Sequence, residues 1–412
     1  MEIRPILSAL LRQRTGPLLV AIQVAISLAI LANALFIVQQ RIAASERPSG
    51  VADEASTGYV FARPLQKLSH PENLAARDRD IAALRNVPGV KSVAWTSQMP
   101  MSRSGSNGSV RTSPAQVREV AQPAIYYVST DFVKTLGLKV IEGRDFTDAD
   151  MLEVDNQTAD EEASTPGAVI ITEALAQALF PGESRFVGRT FLFGMGTGRP
   201  TRIIGVVERL QTVGAQAGVA GEHSVLEPLR ISIPFGRYVI RTEPGQTEKA
   251  LAASVETLRK VSTAPVRTFT RTVAEDRVNR YKNEKALAWM LIAVSALLLL
   301  VTVSGIVGMT MLRVAQRRKQ IGVRRALGAR WRDILRYFVT ENLIITTGGI
   351  AAGLLLALGL NRLLIAYANM PRLPLEYLAF GAGALWLLGV AAVYGPASRA
   401  ASISPAIATR TA

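Results

Sequence analysis

"RRKQIGVRRALGARWRDIL", residues Arg317–Leu335, lies between two of the longest apolar runs in the chain. From Arg313 to Arg336 nine residues are Lys or Arg, and only Asp333 is acidic. The whole chain has 412 residues, a formal charge of +15, two His and no Cys. Such a length and charge suit a nucleic-acid binder or a membrane protein. The apolar content decides for the membrane, because a bilayer crossing needs about 20 apolar residues and four segments supply them. They are Pro17–Val38, Ala286–Leu312, a stretch near Phe338–Ala366 and one near Leu378–Pro396. Membrane lipid is therefore an expected partner and nucleic acid is not.

The expected layout is a tail over residues 1–16, then spans over 17–38, 285–312, 338–366 and 378–397. A large region covers 39–284, the basic loop 313–337, a short turn 367–377 and a second tail 398–412. The first span is long for the apolar stretch of a signal peptide. No small-x-small cleavage site ends it before Gln39–Arg41, so it reads as an anchor. Charge orients the spans by the positive-inside rule. Arg4, Arg12 and Arg14 precede the first span, and Arg399 and Arg410 follow the last. The region over 39–284 carries 30 basic and 28 acidic residues and is nearly neutral. Both termini and the basic loop are expected in the cytoplasm, with the large region and the Tyr367–Tyr377 turn outside.

Charge alone does not account for the loop's second pattern. Gly322 and Gly328 punctuate it, and "VRRAL" between them can form a short helix. Gly328 is expected in the left-handed conformation that stops it. Leu327, Trp331, Ile334, Leu335 and Phe338 then recur at helical spacing on one face. The second span is expected to continue through "RVAQRRKQ", turn through the short helix, and return along an amphipathic stem. A transverse helix of this kind fits a groove on a soluble partner. It fits equally a basic segment lying on anionic lipid.

The large region reads as α+β with two subdomains. Strands are expected at Val90–Ser97, Ala124–Ser129, Gly167–Thr172, Thr201–Leu210 and Arg237–Thr242. Helices are expected at Glu72–Val87, Ser129–Gly137 with Ser129 as its cap, Thr172–Phe180 and Thr247–Val261. Asp145–Pro166 and Gly214–Gly221 read as long loops.

Catalytic and metal constellations are not found. No G-x-x-x-x-G-K-[ST] loop occurs, so this chain is not expected to bind nucleotide itself. "FGMGTGRP", Phe193–Pro200, reads as a hairpin turn rather than a dinucleotide fingerprint. His70 and His223 sit in loop-like contexts without metal-ligand spacing. Asp145, Asp148 and Asp150 read as a solvated turn and helix start. With no Cys, disulfide, thiolate and zinc–thiolate chemistry are excluded. Within the spans, Gln23 and Asn33 are placed on roughly one face, and Thr302 and Ser304 lie mid-span. Gly349 and Gly353 form a small-residue face. These four positions, Gln23, Asn33, Gly349 and Gly353, are read as helix packing and as candidate surfaces for a second chain.

One span, a large outside region, three further spans and a loop reading "QIGVRRALGARWRDIL" together resemble the MacB/FtsX-like ABC transporter permeases of the type VII fold. "VSTDFVKTLGLKVIEGRDFTDAD", "AVIITEALAQALFPGESRFVGRTF" and "YGPASRAASISPAIATR" are similar to further segments of that family, in the same order. Gln320, where the family usually has Glu, and Thr409, where it has an aliphatic residue, depart from the pattern. The resemblance implies a non-catalytic permease in the bacterial inner membrane, coupled to a separate ATPase chain that binds ATP and Mg²⁺. Ile321, Gly322, Val323, Arg324, Arg325, Ala326, Leu327, Gly328 and Ala329 would form the helix on which that ATPase docks. It implies a second permease chain, identical or homologous, and in efflux systems a periplasmic adaptor and an outer-membrane channel. The implied activity is efflux by mechanotransmission. Lipoprotein extraction and regulation of a periplasmic hydrolase are the alternatives within the same fold.

Overall fold

The computed structural model describes residues 10, 15–155, 158, 164–194, 200–368 and 371–402. Arg4, Arg12, Arg14, the centre of the Phe193–Pro200 turn and the tail beyond Ser402, Thr409 included, lie outside the described residues. The chain forms two compact units, Met1–Ala43 with Glu284–Ala412, and Ala44–Asn283.

Helix α1 (Thr15–Glu46) opens the described chain. The unit from Ala44 to Asn283 then runs β1 (Thr57–Pro64), α2 (His70–Arg85), β2 (Val90–Thr96), β3 (Val110–Arg111) and β4 (Ala124–Tyr127). It continues through α3 (Phe132–Leu136), β5 (Val140–Gly143), β6 (Leu152–Val154), β7 (Ala168–Thr172) and α4 (Glu173–Leu179). β8 (Thr190–Phe193), β9 (Thr201–Val207), β10 (Ser224–Glu227) and β11 (Leu229–Ile231) follow, then β12 (Gly236–Thr242), α5 (Thr247–Val261) and β13 (Val266–Thr272).

Two sheets result. One is antiparallel, ordered β13-β1-β12-β2. The other is mixed, ordered β3-β8-β9-β7-β10-β4, with β5 also on β9. Side chains alternate across a strand, and here the alternation sorts them into three cores. Tyr59, Ala94 and Val239 of the first sheet meet Tyr126, Ile170, Ile204 and Leu226 of the second. The intervening residues Val60, Val93, Trp95, Tyr238 and Ile240 point the other way, onto Leu84 of α2 and Leu251 and Leu258 of α5. On the far side, Val169, Ile171, Ile203 and Val225 pack on Leu175, Ala176 and Leu179 of α4. The expected two subdomains are thus two sheets, each backed by its own helices, that share a middle core.

Several local readings are corrected. α2 begins at His70, so His70 is a helical residue rather than a loop residue; Ser69 and Glu72 form a capping box at its start. Ser129 does not cap α3: its hydroxyl accepts the Trp95 N–H, and Asp131 holds the cap position. The Asp145–Pro166 stretch contains a 3-10 turn at Asp148–Asp150 and β6, which pairs in parallel with β11. Asp150 accepts from Thr147 and pairs with Arg144 at 2.6 Å, so it is spent on local structure. Flanking the Phe193–Pro200 turn, β8 and β9 pair antiparallel, as a hairpin requires.

The other unit holds α6 (Val273–Gln316) from Glu284 onward, α7 (Arg318–Ala326), α8 (Trp331–Ala368) and α9 (Leu375–Ala401), together with α1 up to Ala43. Four of these helices, all but α7, are long and apolar enough to cross a membrane. α1 is the most enclosed, with Val24, Leu28 and Ala32 fully buried. Gly349 and Gly353 of α8 admit it closely: a Cβ added at Gly349 would lie 2.7 Å from the Ala21 carbonyl, and one at Gly353 2.9 Å from that of Ala25. This small-residue face is therefore used within the chain and does not offer a surface to a second one. Gln23 lies against Gly305 of α6, whereas Asn33 donates to the Ala357 carbonyl of α8 at 3.2 Å. The two polar residues face different neighbours because ten residues make about 2.8 helical turns, roughly 80° short of three. Ser27 and Thr302 share a hydrogen bond of 2.8 Å that ties α1 to α6.

Candidate functional site

The basic loop folds into α7 and the start of α8. α6 stops at Gln316, and α7 starts at Arg318, five residues earlier than "VRRAL" suggested. "RRKQ" is therefore not a continuation of the second span. A change of axis at Arg317 brings Ile321 inward, where it is 5% exposed and joins a cluster with Ile334 and Phe338 of α8. Burying that side chain stabilises the turned arrangement over a straight helix that would leave it in water.

The end of α7 is a Schellman motif. Gly328 has φ +95°, its N–H bonds the Arg325 carbonyl at 3.1 Å, and the Ala329 N–H bonds the Arg324 carbonyl at 3.0 Å. The next helix is capped at once: the Arg330 N–H donates to the Asp333 carboxylate at 2.9 Å. The turn from α7 into α8 is thus set by backbone chemistry.

The nine residues singled out from the sequence divide between two faces. Ile321 and Gly322 are buried, and Arg325 donates to the Ala401 carbonyl of α9 at 2.6 Å. Val323, Ala326 and Leu327, at i, i+3 and i+4, form an outward apolar stripe; Val323 is 52% and Leu327 82% exposed. Arg324 is exposed, with its guanidinium 5.4 Å from the centre of the Tyr337 ring. Ala329 borders a recess of about 190 Å³ between α7 and α8 that Arg317, Gln320, Arg324 and Tyr337 also line. An apolar ridge on a basic helix is a shape that suits either a groove on a protein or an anionic lipid surface. A single exposed leucine needs no explanation, but an aligned trio on a short helix does.

Glu341 stands near the start of the third apolar run. In the structure it is buried at 2% exposed and pairs with Arg313 of α6 at 2.6 Å, with Arg317 at 3.7 Å. Arg317 also hydrogen-bonds the Tyr337 hydroxyl. The end of α6, the break at Arg317 and the start of α8 are locked together around one carboxylate. A signal existed: an acid embedded in an apolar run calls for a cationic partner, and Arg313 and Arg317 stand at helical spacing across the loop. Among the described residues no group of His, Cys, Asp and Glu is placed to hold a metal ion.

Comparison with known proteins matches two family domains in succession along the chain. The MacB-like periplasmic core domain matches residues 20–258, and the FtsX-like permease C-terminal domain matches residues 292–405. The macrolide export ATP-binding/permease protein MacB of Chromobacterium violaceum is 26% identical over 68% of this chain and 42% of its own length. The pyoverdine export ATP-binding/permease protein PvdT of Pseudomonas syringae pv. syringae is 26% identical over 68% of this chain and 41% of its own. The chain spans less than half the length of these relatives. The crystal structure of the periplasmic region of MacB from Actinobacillus actinomycetemcomitans aligns over 57% of this chain and 95% of that one, at 17% identity and a TM-score of 0.35.

Proposed function

This chain belongs to the family of ABC transporter permeases that combine a MacB-like periplasmic core with an FtsX-like C-terminal domain, and from that premise we propose that it is the export permease of a complex whose ATPase is a separate chain. α7 is the docking element. ATP and Mg²⁺ bind the ATPase partner, and closure of the nucleotide-binding chains pushes on Val323, Ala326 and Leu327. The push is delivered to stiff elements: α6 is 44 residues long, about 66 Å of helix at 1.5 Å per residue. Its first turns are built into the Ala44–Asn283 unit, where Asp276 accepts from Tyr59 at 2.9 Å and Arg277 pairs with Glu54 at 2.5 Å. Substrate is handled by that unit on the periplasmic side, and motion rather than a conduit through the spans connects it to ATP. The complex sits in the bacterial inner membrane with both termini cytoplasmic. It holds two permease chains, with an adaptor and an outer-membrane channel completing the export path.

The observation that carries this reading is the outward Val323–Ala326–Leu327 ridge on a helix fixed at both ends. Because the chain has no Cys, a cysteine placed at position 327 is unique to this chain. Leu327→Cys should cross-link to the ATPase partner with a short bifunctional reagent, and Val117→Cys, exposed in the other unit, should not. Equal cross-linking from both positions contradicts the docking assignment.

A further inference from the structure

The ends of α6 and α9 face each other across an open groove of about 390 Å³. Met311, Val314 and Ala315 of α6, with Arg318 at the start of α7, line one wall. Pro396, Arg399 and Ala400 of α9 line the other. Each wall is a single helical ridge, since its residues recur at i, i+3 and i+4. The floor is apolar, with Pro396 and Ala400 buried and Met311 and Val314 in reach. Arg318 and Arg399 are exposed, one on each wall. Among the described residues no carboxylate lines the groove, and the ion pairs of this region, Arg313 and Arg317 on Glu341, leave these two arginines out.

Their depth is informative. Leu312 ends the apolar run of α6, and Arg318 follows six residues later; Arg399 likewise follows Val393 by six. On α9 six residues of helix span about 9 Å, and on α6 the four residues from Leu312 to Gln316 span about 6 Å before the axis turns, which sets both guanidinium groups at the headgroup layer while the groove between them reaches back toward the hydrocarbon. Two like charges held on opposite walls repel each other unless an anion lies between them. An inorganic anion would answer the charge but leave the apolar floor wetted. A phosphodiester carrying acyl chains answers both, and arginine suits it because its planar fork binds phosphate oxygens in pairs.

We propose that this groove is a binding site for an anionic glycerophospholipid of the same leaflet, with its phosphate between Arg318 and Arg399 and an acyl chain along Met311, Val314 and Pro396. The site rests on the membrane-spanning reading of these helices and not on the ATPase docking. It would make the stability of the α6–α7 turn sensitive to lipid composition, since Arg318 is the first residue of α7.

The test is native mass spectrometry on the detergent-purified full chain, titrated in turn with phosphatidylglycerol, phosphatidylcholine of the same acyl chains, and inorganic phosphate. We expect one phosphatidylglycerol retained about tenfold more tightly than phosphatidylcholine, as two cationic contacts at a membrane surface support. The double variant Arg318→Gln/Arg399→Gln should lose that preference. Arg332→Gln/Arg336→Gln, which removes the same charge from α8, should keep it, as should Arg318→Lys/Arg399→Lys in reduced measure. Equal retention of the two lipids, unchanged retention in the first double variant, or displacement of the lipid by phosphate at similar concentration would each overturn the proposal. A second copy of the chain filling the groove would appear as dimerisation that excludes the lipid, with the same consequence.

Discussion

Glu341 carries much of the order around the loop. Its buried pair with Arg313 replaces water on both groups, and such a pair is costly to break from one side because the survivor stays buried and unpaired, about 3–5 kcal/mol. Glu341→Gln should therefore lower the thermal midpoint of the detergent-solubilised chain clearly. Glu341→Gln combined with Arg313→Met should cost less than the sum of the two single changes, because no lone charge remains. Additive losses would show that the pair is not coupled. Glu227 offers a second test at this scale. It ends β10 and is fully buried, and burial lifts its carboxyl from 4.5 to about 8. In the unfolded chain it ionises near 4.5, so between that pH and about 8 unfolding releases a proton. Stability is then fullest below about 4.5 and falls as pH rises toward 8. Glu227→Gln should remove that contribution. Its thermal midpoint should track the parent at pH 5 and exceed it by several degrees at pH 8. Parallel pH profiles for the two proteins would refute the assignment.

At the scale of elements, α7 shows what backbone chemistry demands. Gly328 at φ +95° lies where a β-branched side chain is strongly disfavoured. Gly328→Val should misdirect the α7–α8 turn and reduce transport per ATP hydrolysed, while Gly328→Ala should do so less. A Val variant with unchanged coupling would mean that the turn geometry is not used. That glycine was legible in the sequence, as were β2, β7, β9 and β12, because their Val, Ile, Tyr and Trp content marks strands. β13 was not legible. It is an edge strand whose Arg267, Thr270 and Arg271 are solvated, so its pattern is that of a polar loop. β6 was hidden for another reason: it exists through pairing with β11, some 75 residues later. The start of α7 was missed because local punctuation by Gly322 suggested a break. Burial of Ile321 and Gly322 against α8 and α9 overrides that punctuation and carries the helix through Gly322.

For the whole molecule, the order of spans and the placement of a neutral α+β region between the first two were readable from hydropathy and charge. The internal use of the glycine face was not, since sequence periodicity marks a packing face without naming its partner. α6 keeps a long outward apolar surface, with Trp289, Leu297 and Leu300 exposed, available to lipid or to a second permease chain. The account as a whole turns on one claim, that the Val323–Ala326–Leu327 ridge receives force from an ATPase. Leu327→Asp tests it most directly. The residue is exposed in the free chain, so the change should leave folding, insertion and topology intact. In a complex it would bury an unpaired carboxylate in the partner's groove, a penalty of several kcal/mol. The measurement is co-purification of the ATPase with the variant permease, together with transport in cells. The account predicts that ATPase yield falls at least tenfold and that transport is lost while the permease remains at normal level in the membrane. Wild-type co-purification with full transport would contradict it.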